Sequence, residues 1–198
     1  MKVLVACECS GVVREAFRSR GHDAWSCDLK YSEDGSMYHI QGDAAKSIDG
    51  DWDLVIAHPP CTFLSVSGLH WNKRRPERQA ETDSASKFFM LFTRLRCKWA
   101  IENPIGCMSR LYRKPDQIIQ PYQFGEDASK GTCLWLNGLP GLISTKRVSG
   151  RLVNGKERWS NQTDSGQNKL GPSPDRSAIR AVTYRGIADA MAMQWGIL

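Results

Sequence analysis

Residues 2–28 read KVLVACECSGVVREAFRSRGHDAWSCD, and this stretch decides the fold. Residues 2–6 are an apolar run with β-branched members, the pattern of a short strand buried on both faces. Cys7-Glu8-Cys9-Ser10-Gly11 follows as a tight turn, with Ser10 a ready N-cap for a helix over 12–20 and Gly21 its stop. Residues 23–27 make a second strand closing on Asp28. The pattern then recurs. Residues 53–57 form a buried strand stopped by His58-Pro59-Pro60-Cys61. Residues 82–96 have helical spacing through Phe88, Phe89, Leu91, Phe92 and Leu95, and a strand over 98–101 ends at Glu102-Asn103-Pro104. Strands alternating with helices predict an α/β chain with a mostly parallel, Rossmann-like sheet flanked by helices.

Beyond Pro121 the pattern changes. Residues 133–136 and 141–143 read as strands, 147–174 as hairpins and loops with a strong turn at Asn154-Gly155, and the chain turns helical again from Tyr184. At 198 residues, with 41% hydrophobic and 24% charged residues, this is one globular domain and not a disordered chain. No apolar run is long enough to cross a bilayer, and Met1 to Val5 meet Cys7 and Glu8 without a leader's apolar core. A cytoplasmic protein is therefore expected. Seven cysteines without a C-x-x-C pair argue for reduced thiols, with neither disulfides nor metal. The net charge is +6. Residues 144–185 hold nine basic and three acidic residues, a surplus equal to that of the whole chain. A polyanionic partner is the reading.

Ligands of an open α/β sheet bind at the carboxyl ends of its strands. Cys7 to Gly11, Asp28, Asp43, His58 to Cys61 and Glu102-Asn103 all stand there. An acid after the second strand can accept from a ribose diol. Cys61, presented by Pro-Pro at a strand end, is a nucleophile candidate with the carboxylate of Glu102 on a separate strand. The other six cysteines are read as structural, His58 as structural or solvent-facing, and residues 88–92 and 191–195 as core.

In order, Cys7-Glu8-Cys9-Ser10-Gly11, Asp28, Gly42-Asp43-Ala44, DLVIAHPPCTF (53–63), Glu102-Asn103-Pro104 and Thr183-Tyr184-Arg185-Gly186-Ile187-Ala188-Asp189-Ala190 resemble the S-adenosylmethionine-dependent cytosine-5 DNA methyltransferases. The resemblance covers about residues 1–137 and 183–196. It implies a Rossmann-like methyltransferase fold, and Cys61 as nucleophile with Glu102 and Asn103 as its catalytic partners. It implies S-adenosylmethionine held by Ala6, Cys7, Glu8, Ser10, Gly11, Asp28, Leu29, Asp43, Pro59, Asp189 and Ala190. DNA, double- or single-stranded, would meet Trp71, Lys73, Arg74 and Arg75 on a mobile loop over 66–82 that closes on the flipped base. Lys130, Arg147 and Arg185 would add phosphate contacts. Pro-Cys-Thr stands for the family's Pro-Cys-Gln, Glu-Asn-Pro for Glu-Asn-Val, and Asp189 for an Asn. A basic, loop-rich insertion over about 144–182 replaces the family's target-recognition lobe. Sequence specificity is thus short or supplied by a partner protein, as suits a minimal bacterial or phage enzyme. C5 methylation of RNA or a nucleotide, and a catalytically silent DNA-binding relative, stand as alternatives. An amino-methyltransferase is a further one, but His58 and Cys61 flank Pro-Pro where an Asp or Asn and an aromatic residue are required.

Overall fold

The computed structural model describes residues 1–173 and 176–198, and for Ser67, His70, Lys73, Ser177 and Ala178 the backbone alone. The chain opens with β1 (Lys2–Ala6), α1 (Val12–Arg18) and β2 (Asp23–Asp28), as expected, then adds β3 (His39–Gln41) and α2 (Ala44–Ser47). β4 (Leu54–Ala57), α3 (Val66–Leu69), a 3-10 turn (His70–Lys73) and α4 (Arg78–Phe92) lead to β5 (Lys98–Pro104) and α5 (Met108–Leu111). β6 (Gln117–Ile119), β7 (Thr132–Asn137), β8 (Arg151–Val153), β9 (Lys156–Arg158), α6 (Arg176–Ala181) and α7 (Arg185–Trp195) complete it.

Seven strands form one sheet in the order β3-β2-β1-β4-β5-β7-β6. β1 to β5 pair in parallel, and β7 runs antiparallel to both β5 and β6. Val3 to Ala6 and Leu54 to Ala57 have no exposed surface. These central strands therefore read as unbroken apolar runs, because both faces are covered. On one face, Val13 and Phe17 of α1 and Ile187, Met191 and Trp195 of α7 pack on Val3, Val5 and Leu54. On the other, Ala44 of α2 and Phe89 and Phe92 of α4 pack on Leu4, Val55 and Ala57. Each of these phenylalanines, fully buried, contributes about 1.5–3 kcal/mol relative to exposure. The chain leaves β1 for β2 on one side and returns to β4 on the other. The crevice of this doubly wound sheet thus lies between the carboxyl ends of β1 and β4.

Two sequence expectations are corrected. The strand over 98–101 extends through Glu102, Asn103 and Pro104, because β7 pairs Leu134, Cys133 and Thr132 with them. Residues 141–143 make no strand: the Gln117 amide donates to Leu142 O at 2.8 Å and accepts from Leu142 N at 2.7 Å, doing a neighbouring strand's work with one side chain. The basic segment does form a hairpin, β8–β9, turning on Asn154 (φ 49°) and Gly155 (φ 72°), the paired left-handed residues of a type I′ turn. Its Trp159 stacks on Tyr122 at 4.0 Å, and Asn161 exchanges hydrogen bonds with the Ser129 backbone at 2.9 and 3.0 Å.

Candidate active site

β4 delivers Cys61. His58 N donates to Ala6 O, which extends the β1–β4 pairing past Ala57, and the chain turns sharply after the thiol as Leu64 N and Ser65 N donate to Cys61 O. Asn103, almost fully buried, donates its Nδ2 to Pro59 O at 2.7 Å. That bond ties the Cys61 turn to β5. A second tie lies just beyond it, where Cys107 N donates to Leu64 O at 2.9 Å and Val66 N to Ile105 O at 3.2 Å. Gly106 makes this approach feasible, since a Cβ there would lie 2.0 Å from Leu64 O. Asn103 therefore acts here as a positioning group for the Cys61 loop.

His58 is not solvent-facing. Its Nδ1 donates to Glu102 Oε2 at 2.7 Å, and its Nε2 is buried with no hydrogen-bond partner among the described residues. Thr183 Oγ1 donates to the same carboxylate oxygen at 3.4 Å. Burial works against a charged Glu102, but the His58 hydrogen bond and charge, with Lys130 and Thr183 helping, hold its pKa down to about 2. Burial likewise disfavours the His58 imidazolium, and Glu102 and Glu8 outweigh it against opposition from Lys130, so its pKa is raised above 6.5. The two groups therefore each favour the other's charged form across the 2.7 Å contact. Burial also raises the Cys61 thiol, with Lys130 and Arg180 pulling it back and Glu102 pushing it further. Lys130 thus acts on Glu102, His58 and Cys61 alike. Its Nζ donates to Arg180 O at 2.8 Å.

Beside the crevice lies a cavity of about 270 Å³ lined by Cys7, Asp28, Leu29, Gly42, Asp43, Ala44, Pro60 and Phe88. Four residues expected at a cofactor, Cys7, Asp28, Leu29 and Asp43, come together here. Phe88, read as core from the sequence, forms part of the wall. Asp28 Oδ1 accepts from Lys30 N, and Asp43 Oδ1 caps α2 through Ala45 N, both at 2.9 Å. Cys7 adopts φ 61°, and burial, with Asp28, Cys27 and Asp43 adding to it, pushes its thiol far above the ordinary range. Pro60, not the buried Pro59, faces the cavity. Ala6 is wholly buried at the end of β1. The turn after β1 is built differently from the sequence reading. Gly11 occupies the N-cap of α1, no side-chain bond from Ser10 caps it, and Glu8 supplies the cap instead. The Glu8 carboxylate accepts from Val13 N at 2.7 Å and Arg14 N at 3.2 Å, so the helix terminus is already satisfied. Asp189 and Ala190 do not line the cavity. Asp189 pairs with Arg185 at 3.0 Å on the surface, and Ala190 is buried in the α1–α7 core.

The expected DNA contacts scatter more widely. Residues 66–82 are not a loop: α3, the 3-10 turn and the start of α4 occupy them. Trp71 is 40% exposed there, with the Arg74 and Arg75 guanidinium groups 5.4 and 5.7 Å from its ring. The side chain of Lys73 lies outside the described residues. Arg147 pairs with Glu157 and lies 5.5 Å from the Tyr122 ring, and Arg185 is engaged by Asp189. Arg151 bonds Asp164, Trp159 O and Gln162 O, each at 2.8–2.9 Å. Much of the basic charge in the insertion therefore also holds its own loops together. His58 and Thr183 are the site residues that sequence reasoning missed. His58 stands at a strand end, yet nothing local names its partner 44 residues on. Thr183 begins the quoted C-terminal segment, and that position was its only signal.

Comparison with protein-family models returned no match, and comparison with curated proteins returned none either. Among the described residues, no helix is long and apolar enough to cross a membrane, and no cluster of His, Cys, Asp or Glu suits a metal ion.

Proposed function

We propose that this chain is an S-adenosylmethionine-dependent DNA cytosine-5 methyltransferase acting through a covalent Cys61 adduct. The observation that carries the reading is the cross-tie between adjacent strand ends: the Asn103–Pro59 bond anchors the Cys61 turn to the strand that bears Glu102. The sheet order and its single reversed strand are compatible with a Rossmann-like methyltransferase fold.

The cavity chemistry fits the cofactor. Phe88, Ala44, Leu29 and Pro60 offer apolar walls for a purine, and the Asp28 and Asp43 carboxylates offer acceptors to a ribose diol and an exocyclic amine. When bound, S-adenosylmethionine supplies an electrophilic methyl group on a sulfonium. The chain's own residues prepare the base. A cytosine must leave the helix stack to reach this site, at a cost of a few kcal/mol. Cys61 gives its proton to water, and its Sγ adds to C6. The electron pair displaced from the ring is accepted as N3 takes a proton from Glu102, leaving C5 nucleophilic. After C5 has been alkylated it loses its proton to water, the Sγ–C6 bond breaks, and N3 returns its proton to Glu102. The hydrogen bonds of Glu102 among the described residues go to Oε2, which leaves Oε1 for the base. Trp71, Arg74 and Arg75, following directly on the Cys61 turn, suit base stacking and phosphate contact.

The test is a product assay. Purified protein is incubated with S-adenosylmethionine and mixed-sequence DNA, double- and single-stranded, and the DNA is digested to nucleosides for mass spectrometry. 5-Methylcytosine that disappears with Cys61→Ala supports the reading. N4-methylcytosine, N6-methyladenine or no modified base overturns it, and a product on RNA alone moves the same chemistry to that substrate.

A further inference from the structure

His58 and Glu102 stand in contact at the strand ends beside the Cys61 turn. N3 of the base needs a proton, yet the Glu102 carboxyl that faces it is held ionised in the free protein. We propose that His58 is the proton partner of Glu102, its Nδ1 holding the proton that passes through the carboxylate to the base. This rests on the function proposed above. The geometry is direct, since Nδ1 is 2.7 Å from Oε2 and both side chains are about nine-tenths buried. The pair is also insulated. Nε2 has no hydrogen-bond partner among the described residues, so the bond to Glu102 is the path those contacts offer its proton.

Three charged groups face the ring from the elements packed around it: Glu102 on β5, Glu8 in the turn after β1, and Lys130 before β7. Two carboxylates favour the imidazolium and one ammonium opposes it. Glu8 is itself fixed by α1, so it biases the ring without competing for Nδ1. The step balances. As Sγ adds to C6, the Nδ1 proton moves to Glu102 Oε2, the carboxyl group so formed turns about its Cγ–Cδ bond, and that same proton passes to N3, leaving neutral imidazole and carboxylate. When the ring becomes aromatic again, the same proton returns by the same route. No further donor is required. A carboxyl group alone would lose its proton in the ordinary carboxylate range, whereas the pair keeps one transferable proton up to the ionisation of the imidazole. His58 touches Glu102 and not the base, so it is a positioning and proton-holding residue.

The experiment joins two readouts. In the first, the imidazole of His58 is titrated by NMR in the free protein, wild type and Glu102→Gln, with His58→Asn used to assign the signal. A ring that is doubly protonated at pH 7 and becomes neutral in Glu102→Gln is expected. A neutral wild-type ring, or one indifferent to Glu102→Gln, overturns the proposal whatever the enzyme's activity. In the second, 5-methylcytosine formation is followed against pH. His58→Asn is expected to lower kcat about 100-fold with little change in KM for DNA, in the range of a lost proton-transfer group. The ionisation seen by NMR is expected to vanish from its kcat profile. The double variant with Glu102→Gln is expected to be no slower than Glu102→Gln alone. An unchanged pH profile, or additive losses, overturns the role. Should His58→Asn fail to fold, His58→Gln replaces it. A wild type that makes no 5-methylcytosine overturns the proposed function, and the NMR titration then decides the shared proton by itself.

Discussion

Replacing Asn103 with leucine removes one hydrogen bond at nearly constant volume. The bond runs from Asn103 Nδ2 to Pro59 O at 2.7 Å, and Asn103 is 2% exposed, so water cannot take its place. A buried carbonyl left unpaired costs about 1–3 kcal/mol. For a chain of this size, each kcal/mol lowers Tm by about 2–4 °C, so a fall of roughly 2–12 °C is expected in a thermal scan. The loss of activity should be larger than that cost explains. Pro59 precedes Pro60-Cys61 directly, and a displacement of about 1 Å at a reacting group can cost about 100-fold in rate. The assay is the yield of 5-methylcytosine under single-turnover conditions, with DNA affinity measured separately by fluorescence anisotropy. A fall in the single-turnover rate with DNA affinity unchanged is expected. A variant that melts at the wild-type temperature, or one that is destabilised but transfers methyl groups at full rate, refutes the positioning argument.

Two further outcomes follow from the same site. Gly106→Ala places a Cβ 2.0 Å from Leu64 O, a backbone atom that cannot swing away. The two backbone bonds between these loops should weaken, lowering stability by about 1–3 kcal/mol in urea denaturation, and methylation should fall with it. The His58–Glu102 pair should also give the protein a pH signature. The Glu102 pKa is lowered from 4.5 to about 2, so its contribution is present above 4.5 and is lost as pH falls toward 2. The His58 pKa is raised above 6.5, so its contribution is complete below 6.5 and is lost as pH rises through the folded value. The difference in Tm between wild type and His58→Asn should be largest between pH 4.5 and 6.5 and narrow on both sides. A difference that is constant across pH would contradict the ion pair.

The central sheet was legible because β1 and β4 are buried on both faces and so carry unbroken apolar runs. The Asn154-Gly155 turn was legible because only a few residue types accept two successive left-handed conformations. What escaped depends on partners remote in the chain. The strand over 98–101 was expected to end at Glu102-Asn103-Pro104, yet β7 pairs with all three. Residues 141–143 looked like a strand until one glutamine amide took that role. Residues 66–82 were expected to be a loop from the family resemblance, but short helices form there because each has a side chain to bury, Leu69 on α3 and Thr82 on α4. At the site, Cys61 and Glu102 were named because strand ends are where an α/β sheet binds ligands. His58 was passed over because a lone histidine gains meaning only from the carboxylate it meets. Ser10 was expected to cap α1, but a glutamate two residues earlier reaches both N–H groups first.

The most direct test of the Cys61 mechanism uses DNA in which 5-fluorocytosine replaces cytosine. The protein is incubated with this DNA and S-adenosylmethionine, and the intact complex is weighed by mass spectrometry. Fluorine cannot leave C5 as a proton does, so the Sγ–C6 bond should persist after methylation. A stable adduct of protein, DNA and one methyl group, mapped to Cys61 and absent in Cys61→Ala, is the expected result. Product formation on ordinary DNA with no adduct on the fluorinated strand, or an adduct on another cysteine, would contradict the account.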